Sequence, residues 1–202
     1  MADTKIKFCG LRREEDIKFA ASLDAGFMGF ILTDRFRRFI EPEEAGRLKQ
    51  FVPASCKTVG VFVDEPLDYV IESAELADLD MIQLHGSEDD AYVAEIKEKT
   101  GLPVIKMIKP ETIDDIITAR QSLADLILLD SGAGGTGRVF DWSLAEKLGR
   151  DYILAGGLTP ENVGEAVERL RPFAVDVSSG VETDGIKDFL KMKAFAAEVR
   201  KI

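Results

Sequence analysis

Eight short runs of β-branched and aliphatic residues punctuate the chain: Lys5–Cys9, Phe27–Ile31, Thr58–Val63, Met81–Leu84, Val104–Met107, Leu126–Leu129, Tyr152–Ala155 and Ala174–Val177. Their first residues lie 22 to 31 positions apart, the length of one strand-plus-helix unit. Between them apolar residues return at helical spacing, as at Ile17, Ala20, Ala21 and Leu23, or at Val163, Ala166, Val167 and Leu170. Thr159-Pro160-Glu161-Asn162 reads as a helix start with Thr as cap and Pro in the first helical position. Pro42 and Pro66 stand where helices should begin, and Gly26 and Gly101 where they should end. Runs apolar almost throughout, such as Leu126-Ile127-Leu128-Leu129, suit strands covered on both faces of a parallel sheet.

Strand and helix in alternation define the α/β class. An open doubly wound sheet shares that alternation, but eight units favour closure, so residues 1–202 are read as a single-domain (β/α)₈ TIM barrel. In such a barrel functional groups belong at the C-terminal ends of the strands and in the loops after them.

Composition narrows the partners. The 202 residues are 46% hydrophobic and 31% charged, the mix of a globule with a full core. No uncharged run exceeds nine residues (Ala25–Thr33 and Tyr152–Pro160), and the first residues lack the apolar stretch of a secretory signal. Two cysteines build no disulfide framework, so a cytoplasmic location is expected. Lys and Arg number 26 against 37 Asp and Glu, a net charge of −11, which argues against nucleic acid or an anionic membrane as partner. A small anion would have to be held locally. A monomer is expected rather than a homodimer.

The strand ends carry the candidate chemistry. They offer Cys9-Gly10, Asp64, Gln83-Leu84-His85-Gly86, Lys106, Asp130, Gly156-Gly157 and Asp176-Val177-Ser178-Ser179-Gly180. The glycines after the last two strands let backbone approach a ligand, and barrels use these loops to bind phosphate. A phosphorylated small molecule is therefore the expected ligand, against the plainer reading of tight turns. Cys9 reads either as a packed thiol or as a functional one. By alternation Lys7 points the same way, where its ammonium would favour a thiolate or pair with an acid in a barrel layer. Asp130 leaves an apolar strand, which suits a proton donor, or else accepts N–H groups from the glycine-rich segment Ser131–Gly137. That segment reads as a lid and lacks the Lys-Ser/Thr ending of a Walker loop. His85, the sole histidine, forms no metal cluster and reads as a substrate contact or a satisfied core residue. Cys56 and Trp142 read as structural, the latter anchoring the sixth helix.

Taken in order, these words resemble one family, the phosphoribosylanthranilate isomerases of tryptophan biosynthesis. The resemblance runs through Lys7-Phe8-Cys9-Gly10, Val59–Val63, Gln83–Gly86, Gly134–Gly137, Phe140-Asp141-Trp142, Leu154–Val163 and Asp176–Glu182, over residues 5 to 200. It implies an Amadori rearrangement of N-(5-phosphoribosyl)anthranilate, without metal or cofactor. Asp130 would be the general acid that protonates the ring oxygen, and Cys9 the general base that takes the proton from C2. Arg38 would meet the anthranilate carboxylate, Asp176 the anthranilate side, and Gly157, Ser179 and Gly180 the phosphate. The chain departs from the family pattern at Phe36-Arg37, where Ser-Pro is usual, so the carboxylate contact lies with Arg38 or with Arg37 as well. It departs again at Arg12, where a Thr would cap a helix, and the segment Ser131–Val139 is short for the family. The rivals are a catalytically silent barrel that binds a phosphosugar as sensor or scaffold, and a pentose-phosphate epimerase. A metal-dependent epimerase is disfavoured by the single histidine.

Overall fold

A computed structural model describes residues 4–131 and 140–201. Its elements alternate as expected: β1 (Lys5–Cys9), α1 (Glu14–Ser22), β2 (Phe27–Ile31), α2 (Pro42–Lys49), β3 (Lys57–Phe62), α3 (Leu67–Leu76), β4 (Met81–Leu84), α4 (Asp90–Thr100), β5 (Val104–Ile108), α5 (Ile113–Gln121), β6 (Leu126–Leu129), α6 (Trp142–Ala145), β7 (Tyr152–Leu154), α7 (Val163–Leu170), β8 (Ala174–Val177) and α8 (Phe189–Val199). A 3₁₀ turn at Ser179–Val181 and a two-stranded hairpin, β9 (Glu182–Thr183) with β10 (Ile186–Lys187), lie between β8 and α8. Strands β1 to β8 pair in parallel in sequence order, and β8 returns to β1 to close the barrel. The reading of a (β/α)₈ barrel is correct, with strand ends displaced by at most one residue.

Closure follows from burial on both faces. Alternate residues pointing outward, such as Ile6, Phe8, Ile82 and Leu129, join the helices in one core, where Phe8 meets Phe195 of α8 at 6.3 Å. Residues pointing inward, Phe27, Val59, Met81, Ile105, Leu128, Ile153 and Ala174, form a second cluster that fills the barrel. Each large apolar side chain so buried contributes about 1.5–3 kcal/mol. Trp142 is buried at the first position of α6, the anchor its sequence context suggested.

Two punctuation readings are corrected. Helix α7 begins at Val163, not Pro160, because Asn162 accepts from Thr159 N and donates to the Gly157 carbonyl, holding residues 159–162 in a turn. Gly26 does not end α1. That helix stops at Ser22, and Asp24, at φ 46°, makes the left-handed turn. Gly26 instead lies against the Lys5 side chain. Gly101 does cap α4, at φ 67°. Among the described residues no helix is long and apolar enough to cross a membrane.

Candidate active site

The register of β1 against β8 builds the centre of the mouth. It sets Lys7 opposite Asp176, and Lys7 Nζ donates to Asp176 Oδ1 at 3.0 Å with the lysine fully buried. Burial alone would push the ammonium down, but the charges of Asp176 and Cys9 outweigh it and hold Lys7 above its ordinary value. Two residues on, Cys9 pairs in register with Gly29, and a Cβ on that glycine would stand 2.8 Å from the sulfur. The glycine is the space the thiol occupies.

Cys9 is itself buried. Burial pushes its thiol up, Lys7 pulls it down, Asp176 pushes up and Lys187 pulls down, and the result lies above the usual thiol value. Lys7 does favour the thiolate, as its place on the strand suggested, but desolvation outweighs it and Asp176 opposes it. Cys56 is also a free cysteine. It precedes β3 at the opposite rim, with its thiol pushed up to about 12 chiefly by burial.

Across the mouth, Asp130 follows β6 and its backbone N–H donates to Ile108 O. Its Oδ2 lies 3.7 Å from His85 Nε2. Gln83 Nε2 lies 2.8 Å from His85 Nδ1; in this amide orientation Gln83 donates there, leaving the ring proton on Nε2 toward Asp130. Burial, followed by the competing charges of Asp176 and Lys7, holds the imidazole down at about 4, so the ring is neutral at pH 7. Lys106, counted among the strand-end groups, turns away from the mouth. It donates to Glu88 Oε2 at 3.0 Å and to the Gly86 carbonyl at 2.6 Å, a brace for the loop after β4. Asp64 accepts from Ser87 N and Oγ in the same brace.

The basic cluster after β2 converges on a carboxylate that the reading of single residues passed over. Glu182 Oε1 accepts from Arg38 Nε at 2.7 Å and from Lys187 Nζ at 2.8 Å. Its Oε2 accepts from Arg38 at 2.8 Å and from Arg37 at 3.1 Å. Burial would raise the Glu182 carboxyl, yet Arg38 and Lys187 overcome it and hold it down at about 2. One carboxylate thus faces three cations, an anion-attracting group in a chain of charge −11. Arg12 caps no helix. It donates to the carbonyls of Arg37 and Gly185, both at 3.2 Å, and so ties the loop after β2 to the hairpin.

The loops after β7 and β8 meet beside this cluster. Gly156 and Gly157 take φ of 85° and 68°, which disfavour any side chain. A Cβ on Gly156 would stand 2.5 Å from Ser131 N, and one on Gly180 would collide with the Leu158 carbonyl. Ser179 and Gly180 form the 3₁₀ turn. The structure therefore brings Cys9, Arg38, His85, Asp130, Gly157, Asp176, Ser179 and Gly180 to the C-terminal rim. The lid reading, Ser131–Gly137, lies outside the described residues except for Ser131.

The chain matches the family model described as N-(5'-phosphoribosyl)anthranilate (PRA) isomerase over residues 6–198. It is 43% identical to the N-(5'-phosphoribosyl)anthranilate isomerase of Caldanaerobacter subterraneus, with 98% of each chain covered. Among solved structures, phosphoribosyl anthranilate isomerase from Thermus thermophilus superposes with a TM-score of 0.90 at 36% identity, covering 98% of this chain and 99% of that one. A phosphoribosyl anthranilate isomerase in complex with reduced 1-(o-carboxyphenylamino)-1-deoxyribulose 5-phosphate superposes with a TM-score of 0.86 at 35% identity, covering 98% and 100%.

Proposed function

We propose a reaction for this chain from the premise that it belongs to the N-(5'-phosphoribosyl)anthranilate isomerase family. The reaction is the Amadori rearrangement of N-(5'-phosphoribosyl)anthranilate to 1-(2-carboxyphenylamino)-1-deoxyribulose 5-phosphate, in tryptophan biosynthesis. The observation that carries this reading is one mouth holding an acid, a thiol, a guanidinium cluster and two glycine loops on its inward rim.

Each part has a task. The loops at Gly157 and at Ser179-Gly180 receive the phosphate through backbone N–H groups, which suits an acidic protein. Arg38, aided by Arg37, receives the anthranilate carboxylate; a planar guanidinium matches that group bidentately. Asp176 stands on the anthranilate side with His85, a neutral hydrogen-bonding contact. Asp130 gives its proton to the furanose ring oxygen, the C1–O bond breaks, and a protonated Schiff base forms. That cation acidifies the neighbouring C–H, and the Cys9 thiolate takes the C2 proton. The enolamine then tautomerises to the ketone, so atoms and electrons balance within the substrate. The reading of a silent phosphosugar sensor has no use for such an acid–base pair.

Depletion of freshly prepared phosphoribosylanthranilate, followed by its anthranilate fluorescence, tests the proposal. Cys9→Ala and Asp130→Asn are each expected to lower kcat by about 100-fold or more, the scale of acid–base catalysis. Near-normal kcat in either variant removes that residue from the mechanism, and ligand binding without turnover in the parent favours the sensor.

A further inference from the structure

A guanidinium can meet a carboxylate along two edges, side-on through Nε and Nη2 or end-on through its two Nη groups. In Arg38 the side edge is taken: Nε donates to Glu182 Oε1 at 2.7 Å and Nη2 to Oε2 at 2.8 Å. Among the described residues nothing else accepts from this guanidinium. The end edge therefore keeps its N–H groups for another acceptor. The stem of Arg38 is placed as well as its head. It crosses Gly10, the residue after Cys9, so closely that a Cβ there would stand 2.6 Å from Arg38 Cδ. Of the Arg38 side chain 21% stays exposed, against 6% of Glu182, so an incoming anion reaches the arginine while its carboxylate partner is covered.

Glu182 is fixed from other directions too. Lys187, buried on β10, donates to Glu182 Oε1 at 2.8 Å and to the Ser178 carbonyl at 2.9 Å. Lys191 donates to the Glu182 carbonyl at 2.7 Å. A carboxylate tethered in this way is a template on which the arginine is laid. Charge permits a second anion there. Arg37, Arg38 and Lys187 against one carboxylate leave a net charge of +2, whereas an isolated Arg38–Glu182 pair would leave none.

We propose that Glu182 is a positioning residue for substrate selection: by holding Arg38 side-on it presents the end edge alone to the carboxylate of the anthranilate ring, and so makes the site prefer an N-aryl phosphoribosylamine that carries that group. This rests on the reading of Arg38 as the carboxylate contact. Positioning and charge give opposite signs when Glu182 is neutralised. By charge alone the cluster becomes more positive and anion binding tightens. By positioning the guanidinium loses its template and binding weakens.

Initial rates on the phosphoribosyl adducts of anthranilate and of aniline, which lacks the carboxylate, separate the two; liquid chromatography follows the ketose products. Glu182→Gln is expected to raise KM for the anthranilate adduct about tenfold, the loss of one charge-assisted hydrogen bond, with kcat within about threefold. On the aniline adduct kcat/KM should change less than about twofold. Glu182→Asp keeps the charge but is one methylene short of Nε and Nη2 together. It should raise the same KM, and it decides the matter if Glu182→Gln does not fold. Added to Arg38→Lys, Glu182→Gln should move KM by less than about twofold more, because it acts through the guanidinium. An unchanged or lower KM in Glu182→Gln overturns the inference, as does an equal loss on the aniline adduct. If Arg38→Lys leaves KM for the anthranilate adduct unchanged, the reading of Arg38 fails and the inference with it. A rise there without one in the Glu182 variants keeps that reading and rejects the role of Glu182.

Discussion

Replacing Lys7 by Met strands a carboxylate in the barrel interior, and the structure sets the cost. Asp176 loses its 3.0 Å partner, while the methionine fills most of the fully buried lysine's volume. Breaking a buried pair from one side typically costs 3–5 kcal/mol. A ceiling follows from chemistry, because the stranded carboxyl escapes its charge by taking up a proton. From an ordinary carboxylate value near 3.9, full protonation at pH 7 costs about 4 kcal/mol, and at pH 5 about 1.5 kcal/mol. The variant's folded state then binds a proton that its unfolded state releases, so the deficit must grow as pH rises from 5 to 7. Urea unfolding followed by circular dichroism at both pH values measures it. The double change Lys7→Met with Asp176→Leu removes both charges and should recover most of the loss. A deficit below about 1 kcal/mol at pH 7, or one independent of pH, would show that the pair is not desolvated as described.

Three further outcomes are expected. Gly29→Ala pushes a methyl to 2.8 Å from the Cys9 sulfur; it should cost about 1–3 kcal/mol in thermal or urea unfolding and lower kcat. Gly180→Ala drives the Leu158 carbonyl away from the phosphate loops, so KM should rise about tenfold or more with a smaller change in kcat; unchanged KM would detach that loop from the phosphate. Acid should weaken the fold through two groups. His85 is held at about 4 against an ordinary 6.5, so the unfolded chain binds the extra proton and stability falls as pH drops from 6.5 toward 4, by up to about 3 kcal/mol; His85→Gln should flatten that part of a Tm-against-pH curve. Glu182, held at about 2 against 4.5, gives stability that is complete above 4.5 and is lost as pH falls toward 2, about 2 kcal/mol after solvent screening at the rim.

The barrel was legible because its strands are apolar on both faces and recur at one spacing, so tertiary context and local pattern agree. The strand-end positions of Cys9, Asp130 and the glycine loops were legible for a related reason, since the strands themselves could be placed. What stayed hidden depends on partners far away in the chain. Glu182 looks like one acid among 37 acidic residues until Arg38, 144 positions earlier, closes on it. By its place in the sequence Lys106 belongs to the rim, yet the alternation that turns Ile105 into the barrel sends it outward to Glu88. The ionisation of Cys9 could not be inferred from the sign of its neighbour, because burial and Asp176 both oppose Lys7. Lys187 gave no signal in the sequence: it stands two positions after Gly185, between Ile186 and Asp188.

The Lys7–Asp176 contact also has a temporal side, for it stitches the first strand to the last, 169 residues apart. A ribosome adding about 5–20 residues per second leaves that ammonium without its counter-ion for roughly ten to thirty seconds. Until the eighth strand emerges the nascent barrel is an open ribbon whose interior lysine must stay wet. The same seam that completes the cylinder thus keeps this mouth from forming before the eighth strand has been made.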